Sequence, residues 1–302
     1  MTHLLGIREK LTAFRLWVAQ ISGRLRGLIP IKVYWHDKHV NFGDLLAPFL
    51  FEQYGLSPIH APPGLADVVS AGSLLTNLPE TYSGFILGAG LIRDGLRRFP
   101  KARIIAVRGE LTRERIGAAK STVLGDPGLL VSEFLSQRRP KVYKLGIVPH
   151  RVDKADPRIH DVCRRHSPDV ILIDVQRQPS KVIADIDACE YILSSSLHGL
   201  VVADSLGIPN AWILLSDKVV GSGFKFYDYA SAFGEKYDPF HLTGIEELSE
   251  LTRWTHEVSN RVADVKRRLD RAFRDFAGGV SGLFPVSAAP REESAGRARS
   301  RA

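Results

Sequence analysis

The residues best placed to do chemistry sit at one junction, YILSSSLHGLVVADSLGIP (191–209). A short apolar run ends at Ser194, and a small-residue helical run opens near Leu197 and stops at Gly207 ahead of Pro209. Ser195 or Ser196 then stands as N-cap, and the free N–H groups of the first turn, together with the helix dipole, form an anion site. His198 falls in that first turn. An imidazolium there is disfavoured by the dipole, and a bound dianion reverses the effect, raising the ring's pKa toward the range of a general acid. The plain structural reading is a turn with a capped helix; both readings predict the same strand–loop–helix.

Six further stretches carry polar or glycine-rich residues, most of them directly after apolar runs. In HDKHVNFGDLLAP (36–48), Asn41 and Asp44 either cap a helix or handle a hydroxyl and its proton, and Gly43 permits close backbone approach. GFILGAGLIRDG (84–95) places Gly88 and Gly90 after a strand, as tight packing or as a backbone nest for an anion beside Arg93. The full GxGxxG fingerprint is absent, since Arg93 holds its last position. AVRGELTRERI (106–116) sets Arg108 just past a strand end, where it can pair with a carboxylate or phosphate or form an ordinary ion pair. In VLGDPGLL (123–130), Asp126 is a cleft acid or a turn residue. LGIVPH (145–150) ends on His150, and GSGFKFYDYA (221–230) sets Lys225 in a glycine-rich loop from which it can reach a phosphate. No metal-ligand spacing, Walker sequence or G-x-S-x-G elbow is present.

These stretches need a scaffold that brings strand ends together. From residue 31 short apolar runs alternate with helical patterns, the signature of parallel α/β sheets. The strands expected are Ile31–Trp35, Gly84–Leu87, Ile104–Val107 and Thr122–Leu124, then Lys144–Val148, Val170–Ile173, Tyr191–Leu193 and Ala211–Leu214. The charged stretch QRRPK (137–141) separates the two series. The expected organisation is therefore an N-terminal α/β domain over 31–140, a C-terminal α/β domain over 141–245, a closing charged helix over 246–278 and a disordered basic tail over 279–302. Ligands of such sheets bind outside the carboxyl ends of the strands.

Residues 1–30 form a separate unit. Leu4, Ile7, Leu11, Phe14, Val18, Ile21, Leu25 and Leu28 make one apolar helical stripe, with Pro30 as its end. The segment carries five Lys/Arg against one Glu and suits packing on its own domain or a partner helix, an anionic membrane surface, or a frayed extension. The whole chain has a net charge of +8, of which residues 1–30 hold +4 and residues 286–302 hold +2. The remaining body is nearly neutral, which argues against a nucleic-acid-binding face on the folded domains. There is no transmembrane stretch and no secretory signal, and two cysteines without CxxC spacing, Cys163 and Cys189, fit a reducing cytoplasmic setting.

SSLHGLVVADSLGIPN resembles the signature of the polysaccharide pyruvyl transferase family, and NFGDLLAP, GAG, VRGELT, LGDPGLL and VPH are similar to further family blocks in the same order, together spanning about 31–230. The resemblance implies two Rossmann-like domains in a GT-B-like arrangement with a cleft between them. It implies transfer of a pyruvyl group from phosphoenolpyruvate, without a further cofactor or metal, to two hydroxyls of a lipid-linked oligosaccharide at the inner membrane face. The product would be a pyruvate ketal in bacterial exopolysaccharide assembly. Many relatives carry arginine just before Leu-His, where this chain has Ser196, so Arg108 or Lys225 must supply the cation for the donor carboxylate. In this scheme His198 is general acid or phosphate partner, Arg108, His150 and Lys225 bind donor charges, and Asp44 and Asn41 orient or deprotonate the acceptor hydroxyl. A nucleotide-sugar glycosyltransferase of the same fold, and a non-enzymatic scaffold of a membrane biosynthetic complex, are the competing readings.

Overall fold

A computed structural model describes residues 26–37 and 41–283. Within them the chain builds two parallel sheets. The first comprises β1 (Ile29–Tyr34), β2 (Leu56–His60), β3 (Val68–Ser70), β4 (Phe85–Leu87), β5 (Arg103–Val107) and β6 (Val123–Leu124), in the order β2-β1-β3-β4-β5-β6. The second comprises β7 (Tyr143–Val148), β8 (Val170–Leu172), β9 (Cys189–Ser194), β10 (Asn210–Leu214) and β11 (Phe240–His241), in the order β8-β7-β9-β10-β11. The central strands are buried on both faces, as all-parallel sheets require: Val68 and Val69 in the first, Leu145, Ile147, Ile192 and Leu193 in the second, are fully covered.

In both sheets the first two strands run outward in one direction and the third starts back beside the first, the 2-1-3-4-5 order of doubly wound sheets. Each therefore has a switch point, between β1 and β3 in the first and between β7 and β9 in the second. Loops that leave neighbouring strands on opposite faces part there and open a crevice at the carboxyl ends.

The eight strands expected from sequence are all present, with ends shifted by one or two residues. Three further strands carry no clear sequence signal. β2 (LSPIH) contains Pro58, which is tolerated because β2 is an edge strand, and β3 and β11 are only three and two residues long. Ile29 and Pro30 belong to β1 rather than to a preceding helix. Residues 26–28 are turn and coil, and the rest of the apolar helix expected over 1–30 lies outside the described residues. The tail expected from 279 is corrected at its start, because the last helix continues to Leu283; residues beyond 283 lie outside the described residues.

The closing helix expected over 246–278 is interrupted. It divides into α7 (Leu248–Arg253) and α8 (Val262–Leu283). Between them His256 exchanges backbone hydrogen bonds with Asn210, which draws the chain out of helical geometry. The helix α8 then returns to the first domain. Phe273 and Phe276 pack on Phe51, Tyr54 and Phe85 with ring centroids 5.1–6.2 Å apart, and the Tyr54 hydroxyl donates to Asp270 at 2.6 Å. No helix among the described residues is long and apolar enough to cross a membrane.

The domains are joined by a buried ion pair. Arg108, just past β5, donates from Nε to Asp228 at 2.9 Å, and both side chains are fully buried. Asp228 lies on α6 (Phe224–Ser231) of the second domain and also accepts from Thr112 N and Thr112 Oγ1, both at 2.7 Å, on α2 (Glu110–Ile116). Three donors from the first domain thus converge on one carboxylate of the second. Asp228→Ala should therefore lower the unfolding free energy by about 3–5 kcal/mol, because it strands a buried guanidinium. Urea denaturation measures this. The double variant Arg108→Met/Asp228→Leu should recover most of the loss, whereas an additive loss contradicts the pairing.

Candidate functional site

The two switch points face each other and enclose a cavity of about 430 Å³. From the first domain it is lined by His36, Asn41 and Asp44 after β1, and by Ser73 and Asn77 after β3. From the second it is lined by His150 and Arg151 after β7, by Ser196 and His198 after β9, and by Lys225 on α6.

Local chemistry explains each placement. Asn41 Oδ1 accepts Gly43 N at 3.2 Å, an Asx turn that curls the chain into α1 (Leu46–Gln53). Neither Asn41 nor Asp44 caps that helix, whose N-cap, Leu45, has no side-chain bond. Both side chains are thereby left for the cavity. In the triple serine, Ser194 Oγ accepts Ser196 N at 3.0 Å and donates to Val148 O at 2.8 Å. Ser195 Oγ accepts His150 N at 2.9 Å and donates to Asp153 at 2.8 Å, fastening the loop after β7 to the loop after β9. Ser196 is the N-cap of α5 (Leu197–Ser205) by backbone conformation only, with no side-chain cap bond. The expected N-cap therefore holds for Ser196 by position, but no serine hydroxyl makes the cap bond: Ser194 and Ser195 tie loops together, and Ser196 lines the cavity.

From the second domain His198 reaches across into the first. A Cβ on Gly43 would stand 2.0 Å from His198 Nδ1, and one on Gly72 would stand 3.8 Å from its Cε1. Phe42 meets the ring edge-on at 6.3 Å. The imidazole is thus inserted between the loops after β1 and β3, at the first sheet's switch point, and Gly43 is required because any side chain would occupy the ring's place.

Lys225 reaches the cavity from the first turn of α6, its Nζ 5.3 Å from the Phe226 ring centre. The turn before it holds Gly221, Ser222 and Gly223 at φ of 100°, 47° and 81°, and a Cβ on Gly221 would strike Ile92 O at 1.9 Å. Glycine is needed at 221 both for its backbone angle and for contact with the first domain.

Electrostatics mark the cavity as built for negative charge. Burial, with Lys225 and Arg108 nearby, lowers His198 to about 3. Burial, with Lys225, Arg151 and His198, lowers His150 to about 3 as well. Burial and Arg108 lower Lys225 to about 8, while burial raises Asp44 to about 6 against the opposing pull of Asn41, Lys225 and Arg151. Empty, the cavity repels additional protons; an anion removes that repulsion. Among the described residues no group of three or more His, Cys, Asp or Glu is arranged to hold a metal ion.

Of the residues singled out in the sequence, Asn41, Asp44, His150, Ser196, His198 and Lys225 converge on this cavity. Gly43 and Ser195 support it from behind. Three others do not reach it. Gly88 makes room for Pro127 (2.4 Å from its would-be Cβ) and Gly90 for the Arg108 guanidinium (2.4 Å), so both serve packing rather than an anion nest. Arg108 donates to Asp228, to Ser73 Oγ at 2.7 Å and to Leu91 O at 2.6 Å and is fully buried, so it orients Ser73 instead of presenting its charge to a ligand. Among the described residues, the cations that line the cavity are Lys225 and Arg151. Arg151 is absent from the sequence-based set although it directly follows His150 past a strand end, a position that carries the signal. His36 is missed in the same way, directly past the expected first strand, whereas Ser73 and Asn77 carry no signal, since β3 itself has no clear sequence pattern.

These charges predict the pH response of anion binding. Sulfate keeps its charge throughout the titration, so its affinity should fall as pH rises through about 8, when Lys225 loses its proton, and should increase on acidification as His150 and His198 become protonated in the complex. Calorimetric titration with sulfate checks this; an affinity independent of pH contradicts it.

The polysaccharide pyruvyl transferase family model matches residues 26–217. An uncharacterized protein, L143, of Acanthamoeba polyphaga mimivirus is 37% identical over 229 residues, 70% of this chain and 77% of that protein. The succinoglycan biosynthesis protein ExoV of Rhizobium meliloti (strain 1021) is 28% identical over 221 residues, 68% of this chain and 66% of that protein. Among solved structures, an uncharacterized protein, KP1_0663, of Klebsiella pneumoniae subsp. pneumoniae NTUH-K2044 is 16% identical with a TM-score of 0.41, covering 76% of this chain and 97% of that one.

Proposed function

The chain belongs to the polysaccharide pyruvyl transferase family, and on that premise we propose that it transfers a pyruvyl group from phosphoenolpyruvate to two hydroxyls of a saccharide, forming a cyclic ketal. The observation that carries this reading is the cavity itself. Lys225, Arg151 and the amino end of α5 converge on it with two histidines held neutral by burial and neighbouring cations. That is a complement to a small trianion. A two-domain GT-B-like arrangement, with donor and acceptor meeting in the cleft, fits the two facing sheets. The family relation to a succinoglycan biosynthesis protein supports an oligosaccharide acceptor, and we take its lipid-linked form as the substrate at the membrane surface.

In the mechanism that follows, the phosphate sits against Lys225 and the free N–H groups of Leu197 and His198 at the start of α5. Arg151 takes the carboxylate, the role left open by Ser196 and by the burial of Arg108. The trianion raises the pKa of His198, so binding draws a proton onto a ring that is neutral when the cavity is empty. His198 delivers this proton to C3, and positive charge develops at C2. A sugar hydroxyl oriented by Asn41 bonds to C2 and loses its proton to Asp44, whose pKa near 6 leaves it ionised at neutral pH. The second hydroxyl then bonds to C2 and gives its proton to the departing phosphate as the C2–O bond to phosphate breaks. The products are the ketal and inorganic phosphate.

His198→Ala should lower the transfer rate by about 10²–10⁴-fold. The assay follows inorganic phosphate release together with the pyruvate methyl singlet in the proton NMR spectrum of the saccharide. Calorimetry should show binding of phosphoenolpyruvate and none of UDP-sugars. Binding of the nucleotide alone points instead to glycosyl transfer. A strain lacking the protein should make surface polysaccharide without the pyruvate methyl signal, and an unchanged signal contradicts the assignment.

A further inference from the structure

Two fully enclosed polar atoms, one from each domain, face one another without a hydrogen-bond partner. Asp126 Oδ2 and His198 Nε2 are both sealed from solvent, both unpartnered, and 3.8 Å apart. The other Asp126 oxygen, Oδ1, accepts Gly128 N at 2.9 Å and caps the 3-10 helix Pro127–Phe134, which packs against α5. That cap needs only one oxygen. An unpartnered buried polar atom forfeits its hydration without a bond in return, so a facing pair of them is rarely retained without a use. A charge-assisted N–H···O bond spans about 2.7–2.9 Å, so the pair stands about 1 Å from closing.

The surroundings fix which nitrogen does what. Nε2 is the sealed nitrogen, directed at Asp126, while Nδ1 lies against Gly43 at the cavity wall. Arg108 faces Asp126 from the end of β5; Lys225 on α6 and His150 after β7 face His198; Tyr229 on α6 faces Asp126. Burial raises Asp126 to about 6, with the Gly128 N–H and Arg108 opposing.

We propose that Asp126 is a positioning residue for His198: its Oδ2 takes the Nε2–H of the imidazole and so turns Nδ1 toward the donor. The inference rests on the pyruvyl-transfer reading for its consequence and on geometry for its existence. With the empty cavity, the neutral ring holds its proton on Nε2 and offers the Nδ1 lone pair to the cavity. When the anionic donor enters, the ring gains a proton on Nδ1, and the resulting imidazolium is stabilised by the donor on one side and by the Asp126 carboxylate on the other. The proton delivered to C3 is the one on Nδ1, and Asp126 never leaves its carboxylate form. Because the two residues belong to different domains, the bond also couples charging of His198 to closure of the cleft.

Asp126→Asn tests this directly. The amide oxygen can still accept Gly128 N, so the cap and the urea midpoint should hold, but the amide nitrogen presents a donor where Nε2–H needs an acceptor. The turnover number for pyruvyl transfer from phosphoenolpyruvate should fall by about 10²-fold or more while KM for phosphoenolpyruvate changes little. The limb of the pH–rate profile that reports His198 should shift, and combination with His198→Ala should add little further loss. Nitrogen-15 NMR of the wild-type protein labelled at histidine should show His198 in the Nε2–H tautomer. Wild-type turnover and pH profile in the Asp126→Asn variant overturn the proposal. So does an Nδ1–H tautomer in the wild type, a result that decides the pairing even if the variant does not fold. Absence of pyruvyl transfer by the wild type would count against the functional reading, whereas the tautomer spectrum tests the Asp126–His198 bond alone.

Discussion

The buried pair of Arg108 and Asp228 governs the relation between the two halves of the molecule. Asp228 is three residues beyond Lys225 on the same short helix, so fastening the carboxylate to Arg108 and Thr112 also sets where the lysine points. Arg108 meanwhile holds Ser73 and Leu91 on the first domain's side of the cavity. Gly109 must lack a side chain, since a Cβ there would stand 1.7 Å from Asp228 O. One ion pair thus positions groups from both domains around a space that neither encloses alone.

What is legible in the sequence follows the range of the interactions involved. His198 can be found because a strand, a polar turn, a small-residue helix and a glycine–proline stop lie within one short stretch, and local physics places that histidine on a sheet's carboxyl edge. Asp44, His150 and Lys225 are readable for the same reason. Arg108 reads as a ligand for the donor because its position past β5 is visible, whereas its partner, Asp228, lies 120 residues away. The serines read as caps because capping is local. Their actual partners, Val148 and Asp153, lie across the β7–β9 pairing that only the folded sheet creates. The break between α7 and α8 depends likewise on a long-range backbone bridge, His256 to Asn210, that the helical periodicity does not encode.

On the proposed function, the cavity is a case of a nearly neutral protein body holding a small trianion. The positive charges are few, but burial concentrates their effect: each disfavours protonation of the others, and two histidines are kept neutral. An arriving trianion is therefore met both by fixed cations and by groups ready to accept protons. In the proposed mechanism this couples donor recognition to the supply of the proton that the chemistry needs. The same low-dielectric setting makes the unfilled space between Asp126 and His198 consequential, because a charge created on one side of the cleft has a waiting counter-charge on the other.

On the proposed function, the two facing switch points form a single donor site. A crystal structure of the protein with phosphoenolpyruvate tests it most directly. The phosphate should lie against Lys225 and the start of α5, the carboxylate near Arg151, and the vinyl carbon C3 beside His198. A donor ordered elsewhere, such as the neighbouring cavity bounded by Trp212, Ser216 and Tyr227, would contradict it.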